Sequence, residues 1–120
     1  MAFDEYLAER IRINLKEKST DSSELKMMGG LCFKVDEKML CGIHIDKKSG
    51  ESLLMARIGE EAYLKELNKE ECLPMDFTGR PMRGYIFVKE SGIDKEEDLS
   101  YWLDLCLAFN PMAKSSKRKK

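Results

Sequence analysis

Phe3, Leu7, Ile11 and Leu15 recur every fourth residue, the spacing that gathers apolar side chains on one face of a helix. Asp4 is a good N-cap, Glu5 suits the positive end of the helix dipole, and Arg10, Arg12, Lys16 and Lys18 crowd its negative end. The polar stretch Ser19–Ser23 ends the element. The period then changes. Residues 25–35 read as one strand ending in the alternation Leu31, Phe33, Val35, with Gly29-Gly30 marking a bulge or bend. Asp36-Glu37 is the shortest turn consistent with the next alternating run, Met39, Cys41, Ile43 and Ile45. Asp46–Gly50 is a second turn and Leu53–Ile58 a third strand.

Gly59-Glu60-Glu61 opens a short helix whose Ala62, Tyr63, Leu64 and Leu67 suit packing on a sheet. Met75 and Phe77 fall on one face of a brief fourth strand, and Arg83–Lys89 makes a fifth after a Thr78-Gly79 reversal. Asp94 and Glu97 approximate a capping box for a last helix carrying Leu99, Trp102, Leu103, Cys106 and Phe109, and Asn110-Pro111 stops it. The order is α-β-β-β-α-β-β-α. Short reversals require antiparallel pairing, so the expected fold is a two-layer α+β domain with helices on one face of a five-stranded antiparallel sheet.

The chain of 120 residues fits one domain, expected over 1–113. It is 42% hydrophobic and 36% charged, with no apolar run near the ~20 residues of a membrane helix. The start Met1-Ala2-Phe3-Asp4-Glu5 lacks the basic and apolar regions of a secretory signal, so a cytoplasmic location is expected. The net charge of −1 hides an asymmetry. Lys114, Lys117, Arg118, Lys119 and Lys120 remove five of the 21 basic residues, leaving 16 against 22 acidic ones and about −6 on the body. Residues 114–120 read as a disordered basic tail, either a solvated appendage or a contact for nucleic-acid phosphates.

Little catalytic chemistry is visible. Cys32, Cys41, Cys72 and Cys106 form no C-x-x-C pair, and His44 is the one histidine, so neither a metal site nor a cofactor is expected. A two-residue turn at Asp36-Glu37 would place Cys32 opposite Cys41, close enough for a cross-strand disulfide, although Asp-Glu suits a primed turn poorly and buried thiols are the plainer reading. His44 should share a strand face with Leu40 and Gly42, and no nucleophile with an orienting carboxylate can be placed beside it. Met28-Gly29-Gly30-Leu31 fits no phosphate-binding glycine pattern, which argues against a nucleotide-dependent or methyltransferase-like enzyme, the least favoured alternative.

The run Pro74–Gly84 stands apart. Pro81 restricts Arg80, Gly79 permits a tight reversal, and Asp76 and Arg80 would lie across it. It is either a rigid hairpin or an exposed recognition loop. The candidate interaction surface is therefore Asp76, Phe77, Gly79, Arg80, Pro81 and Arg83 with Gly29 and Gly30.

The motifs Met28–Phe33, Met39–Ile43, Leu54–Gly59 and Pro74–Met82, supported by Asp98-Leu99, Trp102 and Ala108-Phe109, resemble the N-terminal domain family of TfoX (Sxy), a bacterial competence regulator. The likeness runs from about Phe3 to Phe109. It implies a secretion-chaperone-like α+β arrangement and a role in transcriptional regulation of DNA uptake, exercised with a transcription factor such as the cyclic-AMP receptor protein. It also implies a non-enzymatic module that works through protein–protein contacts, as a monomer or weak homodimer; the alternative is nucleic-acid binding through the tail and Arg80/Arg83. The full regulator has a second, helical domain, so a stand-alone short member is expected here, and the family motif carries no catalytic residues.

Overall fold

The computed structural model describes residues 4–27, 30–46, 49–74 and 84–112. Helix α1, Glu5–Glu17, starts where the sequence places it: Asp4 accepts hydrogen bonds from the Tyr6 and Leu7 amides at 2.9 and 3.3 Å. Strands β1 (Ser23–Met27), β2 (Gly30–Val35), β3 (Lys38–Ile45) and β4 (Ser52–Arg57) follow, then α2 (Glu60–Glu66), β5 (Cys72–Pro74), β6 (Tyr85–Val88) and α3 (Glu96–Phe109). Single 3-10 turns at Glu90–Gly92 and Asn110–Met112 flank α3. Every strand pairing is antiparallel, in the order β1-β2-β3-β4-β6-β5.

The α+β class and the antiparallel sheet are as expected, but the described strands number six instead of five. Residues 25–35 are not one strand: Met27 pairs with Gly30, so the chain reverses where a bend was expected. Two residues between paired strands and a glycine pair make a hairpin signal that outweighs the apolar run on either side. The strand before the Thr78-Gly79 motif lies at Cys72–Pro74, ahead of the expected Met75 and Phe77, which fall outside the described residues. Helix α3 is capped by Lys95 in extended conformation with no side-chain cap, so the Asp94/Glu97 capping box does not form. Glu96, Glu97 and Asp98 nonetheless put three carboxylates at the positive end of its dipole.

All three helices pack on the same side of the sheet, as expected, although Leu64 of α2, expected to pack there, is exposed. Leu7, Ala8, Ile11 and Leu15 of α1, Tyr63 of α2, and Leu99, Trp102, Leu103 and Cys106 of α3 share one core with Phe33, Leu40, Ile43, Leu54, Ile86 and Val88. The indole of Trp102, 2% exposed, donates to the Gly92 carbonyl at 3.2 Å, which meets its one polar requirement. The opposite face holds a second, smaller cluster of Cys32, Leu53, Met55 and Phe87, with Met39, Leu73 and Tyr85 packed around it.

The β2–β3 hairpin departs from simple counting. Asp36 and Glu37 both adopt left-handed backbone, φ 56° and 64°, so the turn is the tight two-residue kind despite its unsuitable residues. Val35 pairs with Lys38 and Lys34 with Met39, but Phe33 pairs with Cys41. Leu40 is the extra residue of a bulge. Because strand side chains alternate, that insertion turns the rest of β3 over relative to β2. Cys32 then faces Gly42 on the outer side, while Cys41 lies in the helix-covered core. The cross-strand disulfide geometry is thereby overturned, and all four cysteines are free and buried. Likewise Leu40 is in the helix-covered core, whereas His44 meets Phe87 of the outer cluster, so they do not share a face. The hairpin tip is tied to the end of α3: Lys38 Nζ donates to the Asn110 carbonyl at 3.1 Å, and Asn110 Nδ2 donates to the Val35 carbonyl at 3.3 Å.

Candidate interaction surface

Of the surface residues expected from sequence, Gly30 alone is among those described; Gly29, Asp76, Phe77, Gly79, Arg80, Pro81 and Arg83 lie outside, as do Lys114, Lys117, Arg118, Lys119 and Lys120. Gly30 opens β2 pressed against β3. A Cβ there would stand 2.4 Å from the Ile43 carbonyl oxygen and 2.9 Å from His44 Cβ. A side chain has no room, so close strand packing accounts for this glycine without a partner.

The strand register locates the ends from which the two motifs leave. Met27 and Gly30 lie at the end of the sheet shared with Ile45 and Ser52. Pro74 and Tyr85 lie at the other end, beside Arg57. The described flanks of the two motifs are thus at opposite ends of the sheet, and only the second coincides with a distinctive group of side chains.

That group forms where β4 gives way to α2. Ile58 and Gly59 both donate their amides to the Gly84 carbonyl, at 2.8 and 3.2 Å. Gly59 adopts φ 88°, ψ 159°, a conformation essentially reserved for glycine, and a Cβ would stand 2.6 Å from Phe109 Cδ1. The compact crossing brings the end of α3 against the end of β4. The Arg57 guanidinium carbon then lies 5.4 Å from the Tyr85 ring centre and 5.8 Å from that of Phe109, within cation–π range of both. Among the described residues no carboxylate pairs with Arg57. Its planar fork of donors is held in place by two rings, a ready receptor for a carboxylate or phosphate.

Several charges elsewhere are engaged in holding the fold. Arg10 bridges to Glu96 at 2.8 Å and donates to the Ile93 carbonyl at 2.8 Å; Lys18 reaches Asp104 at 2.9 Å. These contacts border a groove of about 670 Å³ between α1 and α3 and tie the two helices together across it. Lys69 pairs with the buried Glu66 at 2.6 Å and lies over the rings of Tyr101 and Trp102. Arg12 grips Glu24 through Nε at 2.6 Å and Nη2 at 2.9 Å, and this pairing holds the Glu24 carboxyl below its usual range.

The groups that would do nucleophilic or acid–base work are placed unfavourably for it. Burial pushes the Cys72 thiol up to about 11, the Cys106 thiol to about 12 and Cys41 well above its ordinary value, so thiolates, the reactive form, are suppressed. His44 stands edge-on to Phe87 at 5.2 Å, and burial pulls its pKa below the ordinary imidazole value against the opposing field of Asp46. Among the described residues no group of three His, Cys, Asp or Glu side chains is placed to hold a metal ion, and no helix is long and apolar enough to cross a membrane.

Arg57, Tyr85 and Phe109 were not among the candidate surface residues read from sequence. Arg57 and Phe109 do stand in the motifs Leu54–Gly59 and Ala108-Phe109, so the chain held a clue. Their meeting depends on β4 pairing with β6 and on α3 ending over Gly59, which no local pattern encodes.

A two-layer α+β domain with an open antiparallel sheet and its helices on one face defines the class: a small sheet-and-helix module. Its family follows from comparison. Residues 17–110 match the model of the TfoX N-terminal domain, and the chain belongs to that family, which is not a known enzyme family. A search of curated proteins finds no match.

Proposed function

We propose that this chain is a non-enzymatic binding module whose contact surface for a protein partner is the sheet end at Arg57, Gly84 and Tyr85. Asp76, Phe77, Gly79, Arg80, Pro81 and Arg83, the candidate residues offered by the sequence, adjoin this end in the chain and lie outside the described residues. The observation that carries the reading is the Arg57 guanidinium lying over two aromatic rings, with no carboxylate partner among the described residues. Arginine and aromatic side chains held rigidly in this way are the residue types that dominate binding energy at interfaces. The partner segment it suits is acidic. As its setting we propose a cytoplasmic role in transcriptional regulation of DNA uptake with a transcription factor as partner, a reading supported by membership of the TfoX N-terminal domain family.

The test is cross-linked capture from cells with the wild-type chain, Arg57→Ala and a form truncated after residue 113. A partner retained by the truncated form and lost with Arg57→Ala, at least a tenfold loss of affinity or about 1.4 kcal/mol, supports the surface. Equal capture by Arg57→Ala refutes it. A second reading rests on the five basic residues of 114–120. If these bind DNA, affinity falls with salt at a slope of about −0.9 per phosphate neutralised and vanishes on truncation.

A further inference from the structure

The two edges of the sheet are unlike. β5 is three residues long and ends in Pro74, the kind of edge that resists pairing with another strand. β1 has neither defence: it has five residues, no proline, and pairs with β2 residue for residue from Ser23 to Met27 without a bulge. Its side chains alternate in an informative way. Leu25, 47% exposed, stands opposite Cys32 of the outer cluster. Glu24 and Lys26 therefore point to the helix side, where Glu24 is clasped by Arg12 while Lys26 is exposed and has no ion pair among the described residues.

The segment is self-complementary. Turn a second copy about a two-fold axis through Leu25, perpendicular to the sheet, and lay its β1 antiparallel against the first. Leu25 meets Leu25 of the second copy, and Glu24 meets Lys26 of the second copy in both directions. Sliding the pairing two residues either way brings Glu24 onto Glu24 or Lys26 onto Lys26, like charges directly opposite, which is destabilising. Sliding by one residue puts the outer face of one copy beside the helix face of the other. Only the Leu25-centred register satisfies both charge and face.

Helix α1 adds an independent match. Arg12 anchors it beside β1, and Glu5, Glu9, Arg12 and Lys16 share one face of the helix by their spacing, acids first and bases last. The same two-fold reverses the second helix, so the acidic half of one copy approaches the basic half of the other.

We propose that this chain associates as a two-fold symmetric dimer through β1, making one antiparallel sheet continuous across both copies, with Leu25 on the axis. The contact is isologous, one patch meeting itself. A single pair of five-residue strands buries well under the ~1,200 Å² of a standard interface, so the dimer is weak, reversible and concentration-dependent. It uses the edge remote from Arg57 and stands whether or not that surface binds a partner.

Sedimentation equilibrium on the full chain tests it with Leu25→Lys, Leu25→Glu and their equimolar mixture. Each variant alone places like charges on the axis and is expected to associate at least tenfold more weakly than wild type. The mixture pairs Lys with Glu and is expected to recover heterodimers at least as stable as the wild-type dimer. Since Leu25 is half-exposed, both variants should keep the wild-type circular dichroism. Amide hydrogen exchange of the unaltered chain gives a readout needing no variant: protection of Glu24 and Lys26, whose amides face away from β2, should rise with protein concentration. A wild-type chain that stays monomeric near 1 mM, a dimer indifferent to both charges, or a mixture no more associated than its components would each overturn the proposal.

Discussion

Substituting Gly59 by alanine tests the joint on which the Arg57 surface stands. Two costs follow from the structure. At φ 88°, ψ 159° the backbone is in a region where an L side chain is strained by about 1–3 kcal/mol. The new methyl would also stand 2.6 and 2.9 Å from Cδ1 and Cε1 of Phe109, where carbon atoms prefer about 3.5–4.0 Å. The ring must yield by roughly 1 Å, and overpacking of that kind costs about 1–3 kcal/mol. Gly59→Ala should therefore lose about 2–6 kcal/mol, a large part of the 5–15 kcal/mol typical of a domain. The two terms can be separated. Phe109→Ala removes the clash but leaves the backbone strain, so the double variant should be more stable than the sum of the singles by about 1–3 kcal/mol. Urea unfolding followed by the fluorescence of Trp102, the one tryptophan and a buried one, supplies the free energies, with far-ultraviolet circular dichroism as a second probe. A loss below about 0.5 kcal/mol for Gly59→Ala, or additivity of the two substitutions within about 0.3 kcal/mol, would refute the account.

Four further outcomes are expected. Replacing Asp36-Glu37 by Asn-Gly, which tolerates the observed φ of 56° and 64°, should raise stability by about 0.5–1 kcal/mol, the left-handed penalty less the added entropy of glycine, and denaturant unfolding measures it. Burial lowers the folded-state pKa of His44, so the unfolded chain binds its proton more readily; stability should fall as pH drops below about 6.5, and His44→Gln should flatten that part of a pH series. The Glu24 carboxyl is likewise lowered by Arg12, and its contribution should disappear as pH falls through the carboxylate range, a separate window removed by Glu24→Gln. Cys41 and Cys106, fully buried with raised pKa values, should resist thiol reagents in the native protein and react rapidly in denaturant; fast native labelling at both would contradict their placement.

Helices α1 and α3 were legible because each announces itself over many residues: Leu7, Ile11 and Leu15 keep one face, and Leu99, Trp102, Leu103 and Cys106 keep another. The β-region was legible in kind and less so in count. An apolar run containing two glycines supports either one bent strand or two strands joined by a tight reversal, and the choice depends on whether Met27 can pair with Gly30. That depends in turn on β3 lying beside β2 closely enough to require a bare backbone at Gly30.

Local periodicity and turn chemistry were enough to determine an antiparallel α+β domain with its helices together on one side, since short reversals and amphipathic faces allow little else. Tertiary structure decided the rest. Leu40 bulges because the Asp36-Glu37 turn and the core each demand their own register, and that one residue sends Cys32 and Cys41 to opposite faces. Arg57, Tyr85 and Phe109 meet because three segments distant in the chain cross at Gly59 and Gly84. Contacts of this kind carry no periodic signature: they arise from the closing of the fold, and are set by the residues on both sides of the gap at once.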